Sequence, residues 1–148
     1  MARPHLQTPA PEDTCAELHA RLVEAGQALA EADMPTFLLT LRNEDGTLIG
    51  GCKGEIAFRS AHVSELWVDA AQRGRGIGQR LLNAAEAHAR ARSCTRIHIE
   101  TRNPAARRLY EKAGYRVFGT LADYADGADY WYLEKPLPPV GLRTDRPR

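Results

Sequence analysis

The stretch Gln72-Arg73-Gly74-Arg75-Gly76-Ile77-Gly78 decides how the rest of the chain is interpreted. Its three glycines stand at alternate positions, and glycine lets backbone amides approach an anion closely. The residues that follow predict a helix, whose N-terminus carries partial positive charge. Arg73 and Arg75 add side chains that can pair with phosphate oxygens. A tight turn with solvated arginines is the simpler interpretation, but three alternate glycines favour a phosphate-binding loop.

Two common phosphate motifs do not describe this stretch. A P-loop needs Gly-Lys-Ser/Thr, and the sequence contains no such triplet. A dinucleotide fingerprint needs Gly-x-Gly-x-x-Gly, and counting from Gly74 puts Gln79 in the third glycine position. Counting from Gly76 puts Leu81 there. Glu100 ends the next predicted strand, roughly where a ribose-binding acid would lie, so nicotinamide-dinucleotide binding stays a weaker alternative.

Hydrophobic periodicity on both sides of the loop predicts alternating strands and helices. Predicted strands span residues 36–41, 47–58, 62–68, 97–100, 115–121 and 130–135, with a polar loop between the last two. Predicted helices run from the capping box Thr14-x-x-Glu17 to before Pro35, over 76–92, and from the N-cap Asn103 to Gly114. A crossover through a helix favours a parallel pair of strands. The sequence thus predicts an α/β fold with a mixed, mostly antiparallel sheet and helices on both faces.

Length and composition limit the class of protein. The 148 residues suffice for one domain, predicted over 13–135, between an irregular segment 1–12 and a Pro/Arg-rich, disordered tail 136–148. Lys and Arg number 20 against 19 Asp and Glu, a balance that argues against a nucleic-acid partner. No run of about 18 apolar residues and no signal peptide is found, so we expect a cytoplasmic protein without a membrane partner.

Two segments together resemble the GNAT superfamily of acyl-CoA-dependent N-acyltransferases. Arg73-x-x-Gly76-x-Gly78 is similar to the family's Arg/Gln-x-x-Gly-x-Gly/Ala motif. The segment from Asn103 to Tyr115 is similar to its Asn-x-x-Ala-x-x-Leu-Tyr-x-x-x-Gly-Phe/Tyr motif. The resemblance covers residues 36–137 and extends to a branch of small bacterial GNAT proteins, although that branch has Phe-Gln-Ala where this chain has Asn103-Pro104-Ala105. It implies a GNAT-like sheet with one splayed parallel strand pair.

The resemblance also implies acetyl-CoA as co-substrate and a role for individual residues. Backbone groups of Leu66 and Val68 pair with the pantetheine arm, and the Asn103 side chain contacts the same arm. Tyr110 lies near the thioester sulfur and protonates the departing thiolate. The pyrophosphate is held by the loop residues Arg73, Gly74, Arg75, Gly76, Ile77, Gly78 and Gln79. A phenol with an ordinary pKa of about 10 can supply that proton without being charged at neutral pH.

The residue that takes the proton from the acceptor amine has several candidates. His62 precedes the end of its predicted strand by six residues, a spacing at which some relatives place a base. His98 falls at the spacing of the glutamate base of protein-acetylating relatives and shares a strand face with Glu100. We weigh His62 and His98 equally, with Glu100 or water as the remaining options. No pair of histidines has metal-ligand spacing, so no metal is expected.

These observations predict a cytoplasmic N-acetyltransferase that moves an acetyl group directly from acetyl-CoA to a primary amine in a ternary complex. The acceptor is a small molecule, a peptide N-terminus or a lysine. The connection 123–130 carries three acids and no base, which suits a cationic amine or a solvated hairpin loop equally. The alternative class is a CoA-binding module without turnover, which would not need Tyr110. An edge strand near the C-terminus leaves a homodimer open.

Overall fold

The computed structural model describes residues 1–139, and contacts within the chain divide it into two compact units, with the boundary between Met34 and Pro35. The first unit contains helix α1, Glu12–Glu24. The helix begins before the predicted capping box, with Pro11 as N-cap, and the carboxylate of Asp13 accepts a hydrogen bond from the Thr14 amide at 2.7 Å. The two acids at its start, Glu12 and Asp13, suit the positive end of the helix dipole.

Helix α1 also ends earlier than predicted. Gly26 adopts a left-handed φ of 70°, and the amides of Gly26 and Gln27 donate to the carbonyls of Val23 and Leu22. This pair of hydrogen bonds is the Schellman motif, which ends a helix at a glycine. The prediction that the helix continues to Pro35 is therefore wrong, because Gly26 is the stronger stop signal.

The second unit contains a six-stranded sheet with the strand order β1-β2-β3-β4-β6-β5. Its elements are β1 (Thr36–Arg42), β2 (Leu48–Ala57), β3 (Ser60–Val68), α2 (Ile77–Ala91), β4 (Arg96–Thr101), α3 (Pro104–Lys112), β5 (Arg116–Ala125) and β6 (Ala128–Pro136). Strands β3 and β4 pair in parallel, and the other four strand pairs are antiparallel. The predicted mixed, mostly antiparallel sheet is confirmed.

The hydrophobic core lies between one face of this sheet and helices α2 and α3. Leu82 of α2, Ile97 of β4 and Leu133 of β6 are fully buried there. Tyr110 of α3 belongs to the same cluster. Because side chains alternate along a strand, the polar residues between the core residues lie on the opposite face. Those residues are Glu55, His62, His98 and Glu100.

A bulge at Ser64 separates β3 from β4. In the β2–β3 ladder Gly54 pairs with Val63 and Lys53 pairs with Glu65, so Ser64 is the extra residue. The parallel pairing with β4 covers Ser60–Val63 and goes no further. Since a bulge bends a strand and increases its twist, the remainder of β3 diverges from β4. The divergence leaves space between the two strands on the side where β3 ends.

Two predictions near the C-terminus need correction. The connection predicted as a polar loop is a tight hairpin, because Asp126 and Gly127 both have positive φ and join β5 directly to β6. The predicted disordered tail does not begin at residue 136: Leu137 is 3% exposed, and its amide donates to the carbonyl of Thr95. The rest of that prediction, residues 140–148, lies outside the described residues. Within residues 1–139, no helix is long and apolar enough to cross a membrane.

Candidate active site

A cleft of about 360 Å³, which we call the donor cleft, lies beside the end of β3. It combines the ends of β3, the glycine-rich loop and the start of α3. Its lining residues are Leu66, Trp67, Val68, Gln72, Arg73, Gly74, Gly76, Ile77, Gly78, Gln79, Asn103, Ala105, Ala106, Leu109 and Tyr110. Every residue predicted to bind the cofactor is among them except Arg75, whose guanidinium lies 3.5 Å from the side-chain oxygen of Gln72.

The loop presents amide donors to one end of the donor cleft. Gly74 and Gly76 have φ values of 78° and 76°, which glycine adopts without strain. Gly76 is the N-cap of α2 and offers no side-chain cap to the helix. The amides of the first turn, Ile77 to Gln79, therefore have no acceptor within the helix. Such a set of donors at a helix N-terminus fits a pyrophosphate.

Tyr110 lies at the inner end of the donor cleft and is 5% exposed. No buried side-chain oxygen or nitrogen of the described residues lacks a partner, and among those residues the Tyr110 hydroxyl makes no hydrogen bond. The hydroxyl therefore reaches the cleft surface. Burial, with the charges of Cys52 and Glu100, raises the pKa of Tyr110 to about 12. The phenol stays protonated at neutral pH and can donate a proton.

A second cleft of about 520 Å³ adjoins the first, and we call it the acceptor cleft. Both clefts share Leu66, Trp67, Asn103, Ala106 and Tyr110. The acceptor cleft adds Val63, Ser64, Glu65, Ile99, Glu100 and Thr101. Both clefts thus reach Tyr110, and Glu100 lines the acceptor cleft alone.

His62 lies between two carboxylates that come from the neighbouring strands. Its Nδ1 is 2.5 Å from Oε1 of Glu55, and its Nε2 is 2.7 Å and 2.9 Å from the two oxygens of Glu100. Burial favours the neutral ring, but the hydrogen bonds and charges of both glutamates outweigh it and raise the pKa of His62. The cluster is therefore a carboxylate–imidazolium–carboxylate chain that ends at the acceptor cleft.

His98 stacks on His62, with ring centroids 4.7 Å apart and planes 15° from parallel. Burial, together with the charge of His62, lowers the pKa of His98, so its ring is neutral near pH 7. His62, His98 and Glu100 bring possible metal ligands within 4.8 Å of one another. Lone pairs of ring nitrogens lie in the ring planes, and two stacked planes do not converge on one ion. Neither histidine lines either cleft.

Sequence reasoning missed Glu55, and the cause is strand register. The turn between β2 and β3 consists of Phe58 and Arg59, so Ala57 pairs with Ser60 and Glu55 pairs with His62. The predicted strands end at residue 58 and begin again at residue 62, which moves Glu55 away from His62 in the ladder. This turn requires a positive φ of 54° at Phe58. Positive φ is uncommon outside glycine, so a phenylalanine at this position gives no signal for the turn.

The chain is similar to known acetyltransferases in sequence and in structure. Residues 4–115 match the acetyltransferase (GNAT) family. An acetyltransferase of Agrobacterium fabrum is 39% identical over 105 residues, which cover 71% of this chain and 77% of the relative. The blasticidin-S acetyltransferase of Streptomyces morookaense is 40% identical over 95 residues, which cover 64% of this chain and 70% of the relative. A crystal structure assigned as an acetyltransferase from Agrobacterium tumefaciens has a TM-score of 0.81 at 33% identity, covering 91% of this chain and 99% of that one.

Proposed function

Since the chain belongs to the GNAT acetyltransferase family, we propose that it transfers an acetyl group from acetyl-CoA to a primary amine. One observation carries the proposal: the donor and acceptor clefts meet at Tyr110. A CoA thioester whose pyrophosphate lies on the loop residues 72–79 would extend along the end of β3 toward that tyrosine. The amine would approach from the acceptor cleft, where a carboxylate lies.

The proposal assigns proton removal to Glu100 and not to a histidine. Both ring nitrogens of His62 already face carboxylates, so its ring has no free lone pair for the proton of an amine. His98 is neutral but does not line the acceptor cleft. Glu100 lines that cleft, and the imidazolium of His62 fixes its orientation. His62 is thus a positioning residue, as is Glu55, which holds it from the other side.

The proposed chemical step is a direct attack of the amine on the thioester of acetyl-CoA. Glu100 accepts one proton from the ammonium group, and the neutral nitrogen attacks the thioester carbonyl. A carbon–nitrogen bond forms, the carbon–sulfur bond breaks, and Tyr110 gives its proton to the departing thiolate. The attacking nitrogen releases a second proton, which restores Tyr110. One proton leaves for solvent overall, with the acetylated amine and free CoA.

Direct transfer is supported by the state of the buried cysteines. Cys52 and Cys94 are 1% and 5% exposed. Burial raises the pKa of both thiols, that of Cys52 to about 11. Because the thiolate is the nucleophilic form, neither is suited to carry the acetyl group.

The test is to measure free CoA and acetylated amine together. The proposal predicts equal amounts of both products when the protein, acetyl-CoA and a primary amine are mixed. Gly76→Glu should abolish the reaction and acetyl-CoA binding by placing a negative charge beside the pyrophosphate. Gly46→Glu is the matched control, because Gly46 also has positive φ and open space around it but lies in the β1–β2 turn. CoA binding without any product would instead indicate a binding module.

A further inference from the structure

The charged side chains that line the acceptor cleft are all acidic. Its lining includes two carboxylates, Glu65 on β3 and Glu100 on β4, and no lysine, arginine or histidine. Lys53 lies opposite Glu65 in the β2–β3 ladder but is not among the lining residues. The two carboxylates stand on the two strands that diverge after Val63. An occupant of the cleft therefore has a carboxylate available on either strand.

The indole of Trp67 lines the same space, and further aromatic side chains lie on strands β5 and β6, outside its lining. Trp67 lines both clefts and is 47% exposed. Tyr132 pairs with Glu100 in the β4–β6 ladder, and its ring lies 5.3 Å from that of Tyr130. The Tyr130 ring in turn lies 4.5 Å from that of Tyr124. Ring faces attract cations, most strongly where water is partly excluded.

We infer that the acceptor is an amine that carries a second cationic group, of the diamine or polyamine class. The inference rests on the proposed function and assigns the substrate class of the same site. Glu100 takes the proton of the reacting nitrogen, while Glu65 and the indole of Trp67 hold the second ammonium group. An acceptor that carries a carboxylate or phosphate in that position would be repelled by Glu65. The acidic lining thus selects against amino acids and sugar phosphates.

Three acceptors of one length test the inference: putrescine, its analogue with one amine replaced by a hydroxyl, and its analogue with one amine replaced by a carboxylate. The kcat/KM for acetyl transfer should be highest for putrescine, by about fivefold or more over the hydroxyl analogue, since even exposed ion pairs reach about 1 kcal/mol. The carboxylate analogue should be the poorest acceptor. Equal kcat/KM for putrescine and the carboxylate analogue would overturn the inference.

Two single-residue variants test whether Glu65 causes the preference for putrescine over its hydroxyl analogue. Glu65→Gln should lower the ratio of putrescine to hydroxyl-analogue kcat/KM toward one. Glu44→Gln removes the same charge from the exposed β1–β2 turn and should keep the wild-type ratio. A ratio unchanged by Glu65→Gln, in a variant that retains the wild-type circular dichroism spectrum, contradicts the role of Glu65. Should all three amines stay unacetylated while another primary amine is acetylated, the inference fails and the proposed function stands. If no primary amine is acetylated while acetyl-CoA binds, the proposed function itself fails.

Discussion

His62 holds together three strands at the acceptor side of the site. It lies between Glu55 of β2 and Glu100 of β4, and both contacts are charge-assisted. Burial opposes a charged ring, but two carboxylates at hydrogen-bond distance outweigh it, so the pKa of His62 is raised. A group whose pKa is raised by folding stabilises the folded state while it is protonated.

The first prediction concerns stability against pH. The contribution of His62 is complete below its unfolded pKa of about 6.5 and is lost as the pH rises through its higher folded value. His62→Gln should therefore lower the free energy of unfolding most at pH near 6, by about 1.5–3 kcal/mol for a hydrogen bond to a charged group. The difference from wild type should shrink in alkaline solution. Urea unfolding across this range measures it, and a constant difference would contradict the assigned charge of His62.

The second prediction concerns the proton acceptor. Glu100→Gln keeps the size of the side chain and removes its basicity, so kcat should fall about 10²–10⁴-fold, as for the loss of a general base. Glu134→Gln is the control, because Glu134 lies opposite His98 on the next strand and pairs with Arg116 at 3.0 Å. It should keep kcat. Wild-type kcat in Glu100→Gln would transfer the role to water or to His98.

The third prediction concerns the proton donor. Tyr110→Phe should lower kcat by about 10²–10⁴-fold and leave the Kd of acetyl-CoA unchanged, since the ring that packs in the core is retained. Tyr115→Phe removes a hydroxyl from a ring 6.2 Å away, one that donates to Glu86 at 3.1 Å. That control should cost about 1.5–3 kcal/mol of stability, as for a hydrogen bond to a charged group, and keep kcat. Steady-state kinetics measures kcat, and calorimetry measures the Kd of acetyl-CoA. Equal kcat in Tyr110→Phe and Tyr115→Phe would remove Tyr110 from the mechanism.

At the scale of elements, the bulge in β3 ends its pairing with β4 beside the acceptor cleft, and Gly54 of β2 fits against it. A Cβ at Gly54 would collide with the carbonyl oxygen of His62 and would approach the Phe37 ring to 2.5 Å. Gly51, in the same strand, has its nearest neighbour, the carbonyl oxygen of Leu39, at 3.5 Å. The two glycines therefore differ in what a methyl group would meet.

The fourth prediction follows from that difference. Gly54→Ala should lower the free energy of unfolding by about 1–3 kcal/mol or more, as overpacking does. Gly51→Ala should leave stability unchanged or raise it slightly, because alanine loses less backbone entropy than glycine. Thermal unfolding of both variants provides the comparison. Equal melting temperatures would mean that the bulge adapts to a side chain at Gly54.

Elements with strong local signals could be predicted from the sequence. The N-cap Asn103 accepts a hydrogen bond from the Ala105 amide at 2.9 Å, and the predicted stop at Gly114 closes α3 with positive φ. The hairpin at Asp126-Gly127 could have been predicted, since Asp-Gly is a strong hairpin signal. The polar residues around this turn favour a loop, so the two predicted strands stop short of the ends of β5 and β6.

The site could be predicted in its donor half and not in its acceptor half. Loop and helix-start residues are adjacent in sequence, so the donor motif is local. The contact between Glu55 and His62 depends instead on which two residues form a turn, and a shift of the turn by one residue changes every pair across the ladder. The role proposed for Glu100 depends on the same register and on the divergence of β3 from β4.

At the scale of the whole molecule, the formal net charge of +1 conceals a division of charge within the second unit. Arg73 lines the donor cleft beside the amides of α2, whereas Glu65 and Glu100 line the acceptor cleft. On the proposed function, an anionic donor and a cationic acceptor would therefore be drawn to different ends of one continuous space. Tyr110 lies where the two ends meet, which is the arrangement that direct transfer requires.

A single turnover with acetyl-CoA labelled in the acetyl group tests direct transfer most immediately. With the protein in excess, samples quenched at successive times are separated into protein, CoA thioester, free acetate and acetylated amine. Direct transfer predicts that the label passes from the thioester to the amine, and that without an amine the label stays on CoA. Label on the protein chain, or its release as free acetate in the presence of the amine, would contradict the account.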